Sequence, residues 1–205
     1  MKIIAVGMNY AEHNKELDST LILPKEPVIF MKPDSALLKD GKPFFIPDFS
    51  NEVHYETELV VKICRLGKNI AERFAHRYYE EVTVGIDFTA RDLQRKIREV
   101  GNPWEISKCF DDSAAIGKFV SVENFSSIQN LNFHLDIDEK KVQEGNTSDM
   151  LFKVDEIIAY VSRFFTLKIG DLIFTGTPVG VGPIAIGQHL QGYLEEEKLL
   201  DFYIR

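Results

Sequence analysis

The chain has 205 residues, of which 44% are hydrophobic and 27% charged, a composition typical of one globular domain over residues 1–205. Its net charge of −8 argues against a nucleic-acid partner, and no segment approaches the roughly 20 apolar residues that span a bilayer. Cys64 and Cys109 form no C-x-x-C pair, so we expect reduced thiols and a cytoplasmic location.

The first predicted strand, residues 2–6, leads into a short helical turn that Asn9 can cap. On this turn His13 and Glu16 are three residues apart and share one face. A carboxylate bonded to one imidazole nitrogen raises the basicity of the other, so the pair has the chemistry of a general base. Taken alone, the spacing fits an exposed polar helix end better. Residues 18–26 lack periodicity and directly follow the pair, so we interpret them as a candidate lid.

Two glutamates, Glu56 and Glu58, begin an apolar strand that continues through Ile63. Side chains alternate along a strand, so both carboxylates face one side, about 7 Å apart. Like charges buried together need a positive partner, and a hard divalent cation suits two oxygens on one face. By itself the common Glu-x-Glu pattern fits a solvent-facing edge strand better than a metal site. The residues that follow in the chain reverse this and favour a metal site.

A carboxylate follows the next apolar strand. Apolar periodicity predicts a helix over residues 70–83, and a short interior strand over 82–86 ends at Asp87. A carboxylate where a strand meets a helix suits a third metal ligand. Asp87 is therefore a candidate third ligand beside the two glutamates.

The next predicted helix covers residues 90–100, with Thr89 as its cap. Arg91 and Gln94 share a face near its start, from which they could reach an anion held at the metal. The remaining charged residues of this helix are interpreted as solvated surface: Asp92, Lys96, Arg98 and Glu99.

Beyond this helix the sequence predicts an extended segment in which Trp104, Ile106 and Lys108 alternate onto one face. A lysine in line with apolar side chains needs an acceptor, such as a metal-bound substrate oxygen, or extends its ammonium into solvent. Solvent exposure is the more common outcome for a single lysine. Lys108 is therefore a candidate cation of the site, with surface exposure as the alternative.

The second half of the chain reads mainly as strands, with one amphipathic helix over residues 154–165. A buried-type strand over 171–175 runs into a loop, residues 175–182, which contains three glycines and a proline. Such a loop exposes backbone N–H groups and can hold a carboxylate or enolate oxygen. A plain structural turn is the alternative. The loop lacks the Lys-Ser/Thr ending of a phosphate-binding P-loop.

Taken together in chain order, these segments resemble the fumarylacetoacetate hydrolase family, at the size of its small single-domain members. The match spans nearly the whole chain. It rests on Gly7, Asn9, Tyr10, His13, residues 30–33, residues 55–59, residues 87–92, Trp104, Lys108, Gln143, Gly145, Thr147, Met150, Gly170, Asp171 and residues 175–182.

The resemblance implies a set of site residues. It implies Mg²⁺ or Mn²⁺ held by Glu56, Glu58 and Asp87, a base pair of His13 with Glu16, and an active-site lysine at Lys108. It also implies that Arg91 and Gln94 bind the pyruvyl part of the substrate, beneath a closing loop that contains Thr177. The fold implied is α+β and mainly β, a mixed β-sandwich or roll with peripheral helices, in a single catalytic domain that forms a homodimer.

The function implied is a metal-dependent hydrolase that cleaves the C–C bond of acylpyruvates (1,3-diketo acids) to a carboxylate and pyruvate. Because this plan depends on stabilising an enolate, two other activities stay open. One is oxaloacetate decarboxylation, and the other is isomerisation or decarboxylation of unsaturated keto acids of the 2-hydroxyhepta-2,4-diene-1,7-dioate type. A non-catalytic metal-binding protein of the same fold is the remote alternative. The expected partner is a small keto acid, with neither nucleic acid nor membrane.

Overall fold

A computed structural model describes residues 1–17 and 22–205, apart from the side chains of residues 15–17. The candidate lid over residues 18–26 begins in the part that lies outside the described residues. The described strands are β1 (Ile3–Gly7), β2 (Val28–Lys32), β3 (Leu37–Leu38), β4 (Val53–Tyr55), β5 (Thr57–Ile63), β6 (Tyr79–Asp87), β7 (Thr89–Ala90), β8 (Ala114–Ile116), β9 (Val120–Ser121), β10 (Asn132–Ile137), β11 (Lys140–Asn146), β12 (Leu172–Phe174), β13 (Gly182–Pro183), β14 (His189–Leu194) and β15 (Glu197–Tyr203). The described α-helices are α1 (Ala11–Leu17), α2 (Arg91–Glu99), α3 (Glu105–Lys108) and α4 (Val154–Phe164).

The strands form three sheets. The largest has eight strands in the order β2-β1-β12-β5-β6-β8-β3, with β9 paired to β6. It is mixed, because β1 pairs with β12 and β3 with β8 in parallel, whereas β5 and β6 are antiparallel. A four-stranded antiparallel sheet has the order β11-β10-β14-β15, and a small sheet has the order β13-β4-β7. This architecture, with helices at the periphery, confirms the predicted α+β, mainly β fold.

Strand β5 is buried on both faces, which explains its continuous apolar run. Leu59 and Val61 pack into the core that includes Phe133 of the four-stranded sheet and Ile157 of α4. Val60, on the opposite face, belongs to a separate apolar cluster around β1 and β12. Glu58 lies on the same face of β5 as Val60, and its side chain is buried.

The predicted helix over residues 70–83 is wrong. Residues Glu72–Arg77 form a short 3₁₀ turn, and the chain is extended as β6 from Tyr79 onward. Strand β6 pairs with β5 from Tyr79 opposite Ile63 to Ile86 opposite Thr57. This long ladder supplies the backbone hydrogen bonds and buries Val82, so tertiary pairing overrides the local helical periodicity.

Helix α4 matches the predicted amphipathic helix to within one residue. Its buried stripe contains Ile157, Ile158 and Val161. Among the helices that the structure describes, none is both long and apolar enough to cross a membrane. The cytoplasmic location, the homodimer and the expected absence of nucleic-acid and membrane partners stay predictions.

Candidate active site

Glu56, Glu58 and Asp87 meet in one buried cluster, in which one carboxylate oxygen of each lies within 4.8 Å of the others. Glu56 occupies the junction between β4 and β5, where the chain passes from the small sheet to the large one. Asp87 ends β6, and its N–H donates to the Glu56 carbonyl oxygen at 2.8 Å. The antiparallel ladder between β5 and β6 therefore brings the three predicted ligands together.

Lys108 and Arg91 both bond to this carboxylate cluster. Lys108 Nζ donates to Glu56 Oε2 at 2.8 Å and to Asp87 Oδ2 at 2.7 Å. Arg91 Nη2 donates to the second Glu56 oxygen, Oε1, at 2.5 Å. Both cationic side chains are almost fully buried. In these water-excluded surroundings each pair is far stronger than it would be at the surface.

Lys32 is a third buried cation, to which sequence reasoning assigned no role. Its side chain is fully buried, and Nζ lies 2.6 Å from Asp87 Oδ1. The same ammonium donates to the carbonyl oxygen of Lys108 and, at 3.1 Å, to that of Ser113. Burial lowers the pKa of Lys32, and the Asp87 carboxylate opposes that shift. The available signal was a lysine that ends an apolar strand and directly precedes Pro33.

The two glutamates have opposite electrostatic surroundings. Burial disfavours charge on both, but Lys108 and Arg91 outweigh it at Glu56 and hold the pKa of that carboxyl well below its ordinary value. At Glu58 burial raises the pKa, and the neighbouring Asp87 and Glu56 carboxylates raise it further. Among the described residues, neither lysine nor Arg91 lies within ion-pair distance of Glu58. Of the three carboxylates, Glu58 is therefore the one that these buried cations do not pair with.

This arrangement fits a hard divalent cation. Glu56, Glu58 and Asp87 offer oxygen atoms only, the donor type that Mg²⁺ and Mn²⁺ prefer. A cation beside Glu58 would also relieve the carboxylate repulsion that, after burial, raises the pKa of this group. The three carboxylates could thus hold one metal ion, while Lys32, Lys108 and Arg91 hold two of these carboxylates in place through their ion pairs.

Helix α2 carries Arg91 and Gln94, and both line the cavity beside the carboxylates, while their binding of substrate stays a prediction. Arg91 Nη1 donates to Gln94 Oε1 at 2.6 Å, which leaves the Gln94 amide N–H groups for another acceptor. The predicted cap is wrong, because Ala90 is the N-cap and makes no side-chain cap. The Thr89 hydroxyl instead donates to Glu56 Oε1 at 3.0 Å, so it orients a candidate ligand.

Lys108 reaches the cluster from a helical turn, so the predicted extended segment is wrong. Helix α3 runs from Glu105 to Lys108, and the Lys108 N–H bonds to the Trp104 carbonyl oxygen at 3.0 Å. Residues four apart share a helix face, so Trp104 and Lys108 lie on one side. Ile106 points away and is 61% exposed. The helical spacing thus replaces the alternation that the sequence suggested.

His13 lies on α1 and is buried beside the candidate ligands. Its charge contributes to lowering the pKa of Glu56, after the larger effects of burial, Lys108 and Arg91. The Glu16 backbone belongs to the same helix, but its side chain lies outside the described residues. The pairing of His13 with Glu16 therefore stays a prediction.

The Gly-rich loop packs against Glu58. The Gly176 N–H donates to Glu58 Oε2 at 2.7 Å, so the loop binds a carboxylate of the protein itself. Gly176 has a φ of 98°, and a Cβ there would lie 2.7 Å from the Cβ of Asn9. Only glycine combines this backbone conformation with such a close approach.

Thr177 lines the cavity, but its hydroxyl is engaged by the framework. It donates to the Thr57 carbonyl oxygen at 2.9 Å and accepts from Gln143 Nε2 at 2.8 Å. Gln143 also accepts from the Thr57 N–H at 3.0 Å. These bonds hold the loop to the start of β5. The substrate-binding role of Thr177 stays a prediction.

One cavity unites these residues. Every predicted site residue whose side chain the structure describes lines it, together with the apolar side chains of Val6, Phe30 and Trp104. Trp104 and Phe30 pack edge to face, with ring centroids 5.7 Å apart. Arg98, interpreted from sequence as solvated surface, also lines the cavity.

Comparisons with known proteins agree with this geometry. The family model described as fumarylacetoacetate (FAA) hydrolase C-terminal matches residues 2–204. An Escherichia coli K12 protein named oxaloacetate tautomerase YcgM is 40% identical over 190 residues, which are 92% of this chain and 86% of that protein. Two crystal structures extend the likeness to the fold.

One is a fumarylacetoacetate hydrolase family protein from Yersinia pestis CO92, with 41% identity and a TM-score of 0.94 over 100% of this chain and 93% of that chain. The other is fumarylpyruvate hydrolase from Pseudomonas aeruginosa in complex with Mn²⁺ and pyruvate. It has 33% identity and a TM-score of 0.91 over 100% of this chain and 89% of that chain.

Proposed function

The chain belongs to the fumarylacetoacetate hydrolase family, and from that premise we propose that it is a divalent-metal-dependent enzyme that interconverts the keto and enol forms of oxaloacetate. The observation that carries the proposal is the buried carboxylate cluster that shares one cavity with Lys108, Arg91 and His13. The name of the E. coli relative supports oxaloacetate as the substrate.

The charges in the cavity support an anionic substrate. With all groups ionised, the three carboxylates are matched by Lys32, Lys108 and Arg91, so the protein part has no net charge. A bound divalent cation would add two positive charges. A carboxylate together with an enolate oxygen would neutralise them. The charges of the inner cavity and a bound divalent cation would thus neutralise the two negative charges of a 2-keto acid enolate.

The side chains divide the chemistry among themselves. Mg²⁺ or Mn²⁺, held by Glu56, Glu58 and Asp87, would act as a Lewis acid toward the keto oxygen. Lys108 bridges two of those carboxylates and lines the cavity, so its ammonium would stabilise negative charge that develops on a substrate held there. The Gln94 amide, oriented by Arg91, offers its N–H groups to the C1 carboxylate.

His13 carries the proton in this proposal. Tautomerisation removes a proton from C3 of the keto form and adds one to the oxygen on C2, so it consumes no water and releases no group. The imidazole of His13 takes the C3 proton and returns it to the oxygen, a role that suits an imidazole because one nitrogen can accept a proton and later donate it.

Acylpyruvate hydrolysis is the second candidate, favoured by the fumarylpyruvate hydrolase relative. In that reaction His13 takes a proton from water, which attacks the distal carbonyl. The C–C bond then breaks and pyruvate leaves as its enolate. Oxaloacetate decarboxylation and the isomerisation of unsaturated keto acids would use the same enolate stabilisation.

A paired assay tests the proposal. Purified protein is given oxaloacetate and, separately, acetylpyruvate, with Mg²⁺ or Mn²⁺ and then with excess EDTA. Keto–enol exchange is followed by enol absorbance, and cleavage is followed by the pyruvate formed. We expect exchange of oxaloacetate above the uncatalysed rate, lost in EDTA. Faster metal-dependent cleavage of acetylpyruvate would make the protein a hydrolase, and turnover of neither compound would contradict both candidates.

His13→Ala should lower kcat for tautomerisation by about 100-fold or more, because the proton carrier is removed. Binding of Mn²⁺ and of oxalate should change little, since neither needs a proton transfer. Decarboxylation of oxaloacetate, if the enzyme performs it, should depend less on His13, because loss of CO₂ from the keto form does not require a base to remove a proton from C3.

Stopped-flow rates and oxalate inhibition measured on one preparation check this expectation. His76→Ala is the control, because His76 is an exposed histidine on the 3₁₀ turn. A kcat for His13→Ala within a few-fold of the wild-type value would remove His13 from the reaction.

A further inference from the structure

One face of α2 runs from the carboxylate cluster to the opening of the cavity. Arg91, Gln94 and Arg98 all line the cavity, at spacings of three and four residues. Residues at these spacings lie on one helix face. Arg91 and Gln94 are buried, whereas Arg98 is exposed in the last turn. The same face thus offers one guanidinium at the inner end and another at the mouth.

The arginines of α2 differ in their partners. Arg91 is bonded to Glu56 and Gln94, and Arg95, on another face, makes two bonds to Glu52 at 2.8 and 2.6 Å. For Arg98 the described part of the chain provides no ion pair and no side-chain hydrogen bond. A guanidinium presents five N–H donors in a fixed fork that matches a carboxylate. Arg98 therefore faces the cavity with its donors available.

The position of Arg98 suits the far end of a short substrate. Along the helix axis it lies about 6 Å beyond Gln94 and about 10 Å beyond Arg91. Side chains on a helix lean toward its N-terminus, so Arg98 leans back toward the inner cavity. A four-carbon 2-keto acid held by its C1 carboxylate at Gln94 extends its other end toward Arg98.

The charge balance of the cavity also indicates that Arg98 binds the distal end of the substrate. The inner groups and a divalent cation balance one carboxylate and one enolate oxygen. The enolate of a dicarboxylic keto acid carries one further negative charge, and Arg98 is the cavity-lining cation left to meet it. A methyl-ended compound such as acetylpyruvate has nothing for this guanidinium to bind.

We propose that Arg98 binds the distal carboxylate of the substrate and thereby selects 2-keto dicarboxylates over 2-keto acids with an uncharged end. This inference rests on the proposed function and specifies its substrate class. It makes Arg98 a specificity-determining residue at the mouth of the cavity.

The test compares Arg98→Met with Arg98→Lys and with Lys96→Met, a control that removes an exposed charge from the same helix. KM and kcat are measured for oxaloacetate, and calorimetry of Mn²⁺-loaded protein gives the affinities for oxaloacetate, 2-oxobutanoate and oxalate. Oxalate reaches only the inner end, and 2-oxobutanoate has a methyl group in place of the distal carboxylate.

We expect Arg98→Met to raise KM for oxaloacetate about 10-fold or more, the range of a charge-assisted hydrogen bond, with little change in kcat. Oxalate and 2-oxobutanoate should bind as in the wild type, Arg98→Lys should recover part of the loss, and Lys96→Met should have no effect. Unchanged oxaloacetate affinity in Arg98→Met, or equal weakening of all three ligands, would overturn the inference. If the wild type binds but does not turn over oxaloacetate, the proposed function fails, and the affinities alone still decide the role of Arg98.

Discussion

Lys108→Met should lower kcat by about 100- to 1,000-fold, the range seen when one preorganised donor is removed from a developing oxyanion. Its ammonium bonds to Glu56 Oε2 and Asp87 Oδ2 and lines the cavity in which the enolate is proposed to form. Burial opposes its charge, but Asp87 and Glu56 outweigh burial and raise the pKa of Lys108, which keeps it cationic. Methionine keeps the length and removes the charge.

Steady-state kinetics at saturating Mn²⁺ and oxaloacetate measure this loss. Lys96→Met serves as the control, since it removes an exposed lysine from the neighbouring helix. A melting temperature taken with Mn²⁺ shows whether the Lys108 variant is folded. A folded variant whose kcat stays within a few-fold of wild type would show that Lys108 does not act on the developing charge.

Lys32→Met should destabilise the fold by about 3–5 kcal/mol, because removing one partner of a buried ion pair leaves the charge of the other uncompensated. Lys32 is fully buried on Asp87 Oδ1, and its ammonium also ties the carbonyl oxygens of Lys108 and Ser113 together. The substitution leaves a buried carboxylate oxygen and two carbonyl groups without that donor. Urea unfolding of metal-free protein measures the change.

Lys62→Met is the matched control. Lys62 and Glu81 have the same 2.6 Å separation as Lys32 and Asp87, but both side chains of that pair are more than a third exposed. Exposed pairs contribute about 0–1 kcal/mol, so this variant should unfold almost as the wild type does. Equal, small effects of the two substitutions would show that Lys32 is not holding Asp87.

The candidate ligands could be predicted because their positions follow from local rules. Alternation places Glu56 and Glu58 together, and a strand end places Asp87 at a sheet edge. Helical spacing alone pairs Arg91 with Gln94, and their 2.6 Å bond agrees with it. Local rules do not predict the pairing of β5 with β6, which brings Asp87 next to Glu56.

The remaining site features depend on distant contacts. Lys32 and Asp87 are far apart in sequence. Strand β2, which carries Lys32, packs against α3, whose Lys108 bonds to the same aspartate. Thr89 has the side chain of a cap, but the nearby Glu56 carboxylate takes its hydroxyl. Lys108 follows a helical turn because Trp104 packs on Phe30, a contact that the alternating pattern does not contain.

The central claim is that Glu56, Glu58 and Asp87 hold one divalent cation at the reacting end of the substrate. The most direct measurement is a crystal structure with Mn²⁺ and oxalate, recorded at a wavelength that gives anomalous scattering from manganese. We expect one anomalous peak in contact with all three carboxylates, with oxalate on its cavity side near Lys108 and Gln94. Crystals at saturating Mn²⁺ that show no peak among these carboxylates would contradict the account.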